Sequence, residues 1–442
     1  MGRNVLVIGA GRSSSSLIRY LLQNAQEMDV KILVGDMDVD LAKSKVNGHP
    51  RGEAFLFNAM EEEARRKVIS SSSLVISMLP ARWHFDVAKD CIEMGIPIIT
   101  PSYVSPEMQE LNEAAKAKGV LLLNEIGVDP GIDHMSAMRI IDDLRAKGAE
   151  ITRFESFTGG LVAPESDDNP WHYKFTWNPR NVVLAGQGGS AMFQQENRLK
   201  YIPPYKVFQR IKEIKIQGHG LFEGYANRDS LKYKKIYGLE GISTIYRGTL
   251  RKSGFCAAWD VFVQLGMTLD DYKMEASDQL TNRQFVNAFL PFDELRTVEE
   301  KLQGHLDLSD EIMEKLAWLD LFKKTPVELK DASPAQILQA ILERKWGLAE
   351  HDKDMIVMWH RFDYTLNGKT HELHSSMVAI GEDQIYTSMS NTVGLPVAIA
   401  AKMILQGKLS LTGVQLPTSP LVYNPILDEL NNLGIQFIEH EV

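Results

Sequence analysis

The chain has 442 residues, beyond the roughly 250–300 at which one hydrophobic core stops growing, so two or more domains are expected. Hydrophobic residues make up 44% and charged residues 24%, ordinary for a globular protein, and a net charge of −10 without a basic tract disfavours a nucleic-acid partner. Two cysteines, Cys91 and Cys256, suit neither a disulfide framework nor a Cys-rich metal site. No apolar run of about 18 residues stands out and no signal peptide precedes the first strand-like run, so a cytoplasmic protein with no membrane partner is the expectation.

In chain order, residues 5–8 read as a buried central strand ending in glycines, and residues 13–24 as a helix with Leu17, Ile18, Leu21 and Leu22 on one face. Further strands are expected at 30–34, 54–57, 74–78, 97–100 and 120–123, with helices at 40–46, 85–94 and 106–118 between them. This alternation predicts right-handed βαβ units and one parallel sheet. The pattern then changes. Residues 151–160, 214–218 and 245–250 are β-branched and aromatic, and 355–366 and 372–380 read as antiparallel strands joined by a turn at Asn367, Gly368 and Lys369. A mixed sheet in a second domain follows, with a helical subregion at about 275–345. Residues 396–407 read as an apolar helix with a glycine stop that returns to pack on the first domain. The expected division is 1–131, completed by about 390–442, and 132–389.

Gly9, Ala10, Gly11, Arg12, Ser13 and Ser14 form a G-x-G-x-x-S variant of the dinucleotide fingerprint, with a strand before and a helix after. The first glycine permits the tight turn, the second lets a pyrophosphate approach the backbone, and Ser14 is small enough for close helix packing. The first domain is therefore a Rossmann-type doubly wound parallel sheet, and NAD or NADP is the expected cofactor. Asp36 ends the second strand, where an acid holds the ribose hydroxyls and repels a 2′-phosphate, which favours NAD; Arg12 is a cation that pulls the other way.

Ser77 to Leu79 and the stretch Thr100 to Tyr103 end strands that reach the same crevice. His84 lies just beyond Pro80, where its mundane alternative is a packing histidine. Residues 124–134 (NEIGVDPGIDH) are the densest polar constellation, and Asp129 in it could hold a substrate ammonium or shuttle its proton. Asp129, Asp133 and His134 match no strong zinc spacing, so no metal is expected. Arg228 and Arg251 offer planar forks suited to a substrate with several carboxylates.

In six strings the chain resembles the saccharopine reductase family, the glutamate-forming saccharopine dehydrogenases. They are residues 100–108 (TPSYVSPEM), 124–134, 159–177 (GGLVAPESDDNPWHYKFTW), 225–230 (YANRDS), 247–251 (RGTLR) and 415–425 (QLPTSPLVYNP). The resemblance implies a Rossmann-type domain plus an α+β catalytic and dimerisation domain, a homodimer, and an enzyme that interconverts saccharopine with L-glutamate and 2-aminoadipate semialdehyde using NAD(P). By the same resemblance, saccharopine contacts fall at Ser102, Tyr103, Asp129, Arg228, Thr249, Leu250 and Arg251. Dinucleotide contacts fall at Gly11 to Ser14, at the Ser77–Leu79 edge and at Asn178, beside Gly9 and Asp36 from the fingerprint. Asp129 and Tyr103 are the candidates for catalytic positioning and proton traffic, with no single general base assigned. Two departures stand out: relatives carry a cysteine where this chain has Thr158, and NADP-selective relatives commonly carry an arginine where it has Asp36. The alternatives weighed are a carboxyspermidine-type synthase, whose diamine would need acids where the two arginines stand, and a non-catalytic dinucleotide sensor.

Overall fold

Apolar residues at successive positions can form a strand only if both its faces are covered. In the computed structural model, which describes residues 3–185 and 187–442, Val5, Leu6 and Val7 are fully buried in β1 (Arg3–Ile8). Two compact units divide the chain: Met1–Ile151 with Tyr364–Val442, and Thr152–Asp363.

In the first unit β1 is joined by β2 (Val30–Asp36), β3 (Gly52–Leu56), β4 (Leu74–Ser77), β5 (Ile98–Ile99), β6 (Leu121–Leu123) and the late strand Gly413–Gln415. All pairings are parallel, in the order Gly413–Gln415, β6, β5, β4, β1, β2, β3. The chain lays β2 and β3 outward on one side of β1, then crosses back to place β4 on the other. The carboxyl ends of β1 and β4 thus form the switch point at which such sheets bind ligands. This is the doubly wound fold expected from the sequence.

Two helices differ from expectation. The helix expected over 106–118 is two, Pro106–Glu110 and Asn112–Lys118; the α-ladder breaks at Leu111, whose N–H bonds to Met108 O three residues back. The helix expected from 396 runs instead over Ser388–Leu405, capped by the Thr387 side chain, with Pro396 inside it. It is also an 18-residue helix apolar enough to cross a membrane, which corrects the expectation that no such run exists; 72% of it is buried, so its apolarity serves the core of this unit. Gly394 explains the close packing. A Cβ there would lie 2.8 Å from Leu17 N and 3.1 Å from Ser13 O, at the start of the helix Ser15–Asn24 that follows the glycine loop. Ser16 Oγ seals the contact by donating to Asn391 Oδ1 at 2.6 Å.

The second unit is built on β7 (Glu150–Val162), β8 (Ala191–Gln195), β9 (Arg198–Ile202), β10 (Ile211–Ile216), β11 (Gly220–Ala226), β12 (Thr244–Lys252) and β13 (Asp354–Leu366). Their order is β10-β11-β12-β7-β13, with β8 hydrogen-bonded to β12 and β9. The β12–β7 pair is parallel, and the β10–β11 and β11–β12 pairs are antiparallel, which makes the sheet mixed. An aromatic cluster fills its core: Trp171, Trp259, Trp346, Phe255 and Phe262 are all under 2% exposed, and Trp171 stacks on Phe262 at 5.8 Å. The helical subregion comprises Asn282–Asn287, Val298–Leu306, Asp310–Trp318 and Pro334–Trp346. Three of these begin at capping boxes (Thr281 with Gln284, Thr297 with Glu300, Ser333 with Gln336), in which side chains satisfy the first free backbone N–H groups.

Gly394 gives a test in which two effects oppose. Alanine in mid-helix is normally worth about 0.5–1 kcal/mol over glycine, whereas a methyl forced into a filled contact costs about 1–3 kcal/mol. Gly394→Ala is therefore expected to lower the denaturation midpoint of the first unit; a raised midpoint would contradict the packing described.

Candidate active site

The glycine turn and the end of β2 form one edge of the first unit's crevice. Gly9 has φ +103°, its N–H donates to Gly35 O at 2.9 Å, and a Cβ would stand 3.2 Å from Met78 O, so the turn needs glycine. Gly11 is exposed with open space where a Cβ would be, Arg12 is exposed, and Ser13 is half-buried. Ser14 turns inward and its Oγ donates to Gly11 O at 2.7 Å. Bare backbone at Gly11 beside an exposed guanidinium fits a dinucleotide diphosphate. Both Asp36 oxygens accept backbone donors, Ala10 N at 2.6 Å and Asp38 N at 2.9 Å, which fixes the carboxylate beside the glycine turn.

A second group gathers where β4 and β5 end. His84, the first residue of the helix His84–Met94, is buried. Its Nδ1 lies 2.8 Å from Ser77 Oγ, and its Nε2 lies 2.8 Å from Ser102 Oγ and 3.1 Å from Thr100 Oγ1. Burial pushes the imidazole pKa from 6.5 down to about 4. Leu79 is half-buried beyond them.

The segment after β6 is locked onto the Thr100–Val104 stretch by hydrogen bonds. Glu125, buried with φ +55°, donates its N–H to Ser102 O at 3.0 Å, and its side chain accepts Val104 N at 3.0 Å and meets His134 Nε2 at 2.9 Å. Asp133 accepts Gly131 N at 2.6 Å, so Asp133 and His134 hold the turn. Asp129 and Tyr103 come together: both are half-buried, and Tyr103 Oη donates to Asp129 Oδ1 at 2.9 Å. No cluster of three metal-ligating side chains occurs among the described residues.

In the second unit, Arg251 on β12 is 4% exposed. One guanidinium nitrogen donates to Leu250 O at 2.9 Å, Nε has no partner, and the group lies against Tyr173, Phe255 and Tyr225 at 5.2, 5.3 and 5.8 Å from the ring centroids. Glu223, opposite it in the β11–β12 register, gives both oxygens to Gly254 N and Cys256 N. Thr249 pairs in register with Tyr225 on β11 and with Thr158 on β7, whose buried Oγ1 also lacks a partner. Leu250 is buried, with its backbone carbonyl beside the Arg251 fork. Arg228 is exposed at φ +49° just past β11, five residues beyond Glu223, the position opposite Arg251. Asn178, also in this unit, caps the short helix Pro179–Val183 through its side-chain oxygen. Glu125, Tyr173 and Tyr225 are polar partners that sequence reasoning did not single out; each lies in a quoted string, but none matches a catalytic spacing.

Residues 5–123 match the family described as Saccharopine dehydrogenase NADP binding domain, and residues 127–435 that described as Saccharopine dehydrogenase C-terminal domain. The chain is 32% identical to saccharopine dehydrogenase (NADP(+), L-glutamate-forming) of Saccharomyces cerevisiae, over 100% of both sequences. It is 33% identical to the mitochondrial alpha-aminoadipic semialdehyde synthase of Bos taurus over 98% of this chain and 47% of that one. The solved structure of apo histidine-tagged saccharopine dehydrogenase (L-Glu forming) from Saccharomyces cerevisiae aligns with a TM-score of 0.90 at 31% identity, covering 100% of each chain.

The His84 network sets a pH dependence. A folded-state pKa of about 4 against 6.5 means the unfolded chain takes the proton first, so the contribution is complete above about pH 6.5 and is lost as pH falls towards 4. His84→Gln is expected to remove about 3 kcal/mol of the stability change over that window. Chemical denaturation across the pH range reads it, and equal slopes in both proteins would contradict a buried neutral imidazole.

Proposed function

The chain belongs to the saccharopine dehydrogenase family, and on that footing we propose that it interconverts saccharopine with L-glutamate and 2-aminoadipate semialdehyde in lysine metabolism. It is an NAD(P)-dependent oxidoreductase acting on a CH–NH bond. The observation that carries the reading is Arg251, a guanidinium buried among aromatic rings with no ion-pair partner among the described residues. A buried charge without a counter-charge is costly, and a substrate carboxylate would remove that cost. Saccharopine has three carboxylates, one of which would meet Arg251.

A nicotinamide cofactor, when bound, would supply the hydride acceptor or donor for the carbon bearing the secondary amine, and water would hydrolyse the resulting imine to glutamate and the semialdehyde. The chain supplies binding and proton handling. Asp129, whose Oδ1 accepts Tyr103 Oη, would take the proton from the secondary amine nitrogen so that its lone pair can drive hydride loss, and return it in the reverse direction, while Ser102 would offer a hydroxyl to the substrate's polar atoms. A diamine substrate fits poorly, because it would bring a second cation to Arg251.

Asp36 supports a preference for NAD over NADP, in contrast to relatives named for NADP(+). Its carboxylate is fixed by two backbone donors beside the glycine turn, and on this reading it would meet the adenosine ribose and repel a 2′-phosphate. The resemblance also supports a homodimer, and two buried free thiols, Cys91 and Cys256, support a reducing cytoplasm; light scattering at the mass of a single chain would remove the dimer.

Purified protein given saccharopine with NAD or NADP should raise the absorbance of reduced nicotinamide, and silence with both would reject the activity. Asp36→Arg should shift the ratio of dinucleotide dissociation constants toward NADP by about tenfold or more, equivalent to about 1.4 kcal/mol. Fluorescence titration reads this without turnover, and an unchanged ratio would remove Asp36 from the ribose.

A further inference from the structure

Ser77 closes β4 and Thr100 follows β5, neighbouring parallel strands that end at the ligand crevice of the first unit. His84 opens a helix above both ends, and the buried ring meets a hydroxyl at each nitrogen: Ser77 at Nδ1, and Ser102 and Thr100 at Nε2. Thr100 Oγ1 also accepts Ser102 N at 3.3 Å, so the loop that carries Tyr103 is tied to the same ring. A histidine that merely filled space would be replaced at no polar cost by leucine or phenylalanine; here its loss would strand three hydroxyl groups.

A neutral imidazole has one N–H and one lone pair. Whichever nitrogen carries the proton, one neighbouring hydroxyl is held as acceptor and the one on the far side as donor. The ring thereby fixes the polarity of two hydroxyls carried past the ends of neighbouring strands. Burial keeps it in that neutral form near neutral pH.

We propose that His84 is a positioning residue for the reaction, holding the Ser77 hydroxyl through Nδ1 for the dinucleotide and the Ser102 hydroxyl through Nε2 for the substrate. The inference rests on the reading of those two roles given above. Ser102 precedes Tyr103, whose hydroxyl reaches Asp129, so the orientation of His84 propagates to the groups that handle the proton.

The two nitrogens can be separated by substitution. The amide of His84→Asn reaches about as far as Nδ1 and so keeps the Ser77 contact, while that of His84→Gln reaches Nε2 and keeps Ser102 and Thr100. Each variant loses one arm, and one hydrogen bond corresponds to about a 3- to 10-fold effect. His84→Asn is expected to raise the saccharopine KM by about 3- to 10-fold with dinucleotide affinity unchanged. His84→Gln is expected to weaken dinucleotide affinity by a similar factor with the saccharopine KM unchanged. Dinucleotide affinity is read by fluorescence titration, saccharopine KM and kcat by nicotinamide absorbance, and folded fraction by circular dichroism. Equal losses in both variants, or losses that follow only the folded fraction, overturn the proposal. A wild-type protein with no saccharopine turnover overturns the functional reading and this inference with it; an active wild type with equal variants overturns this inference alone.

Discussion

A guanidinium enclosed by aromatic rings, with no ion pair to an acid among the described residues, is the constraint on which the second unit turns. Arg251 lies one residue before the end of β12 with tyrosine and phenylalanine rings around it, while the carboxylate of Glu223 opposite is taken by two backbone N–H groups. Elsewhere the protein answers buried or partly buried cations with acids: Arg65 with Asp90 at 2.7 Å, Lys174 with Asp352 at 2.7 Å, and Arg153 with Asp363 at 2.7 Å. Under the proposed function, the contrast is that of a group whose partner comes from outside the chain. Such a group costs stability in the free protein, and that cost is recovered when an acidic ligand binds.

The first unit contributes a different kind of site. Its polar groups are tied to one another rather than left open: Asp36 to two backbone N–H groups, Ser77 and Ser102 to His84, and Tyr103 to Asp129. Preorganised dipoles of this sort hold a substrate and manage its proton with little rearrangement. The parallel sheet sets their positions because every strand that carries one ends at the same edge. The C-terminal helix Ser388–Leu405 holds the glycine-loop helix through Gly394, so the far end of the chain helps fix the geometry of the first turn.

Much of this was legible because its signals are local. The glycine turn, the acid ending β2 and the alternation of strand and helix can be read within windows of about 30 residues, and six motif strings carried the family resemblance. What escaped depends on distance or on exceptions to local rules. Pro396 reads as a helix start, since proline lacks the N–H that a helix interior uses, yet the helix Ser388–Leu405 passes through it. The β8–β9 hairpin turns at Glu196 and Asn197, both at positive φ, without the Asn-Gly signal that would announce it. His84 finds its partners 7, 16 and 18 residues away, and the rings around Arg251 come from residue 173 as well as from β11 and the helix Phe255–Leu265, contacts that only the folded chain defines.

The central claim is that Arg251 waits for a substrate carboxylate, and Arg251→Met tests it most directly. Calorimetric titration with saccharopine and thermal unfolding of the ligand-free protein would be measured on the same samples. The account predicts that the substitution abolishes saccharopine binding while the unfolding temperature holds or rises, because a buried unpaired charge has been replaced by an apolar chain of similar reach. Retained binding together with a lowered unfolding temperature would mean that Arg251 is a structural cation, and the account would be wrong.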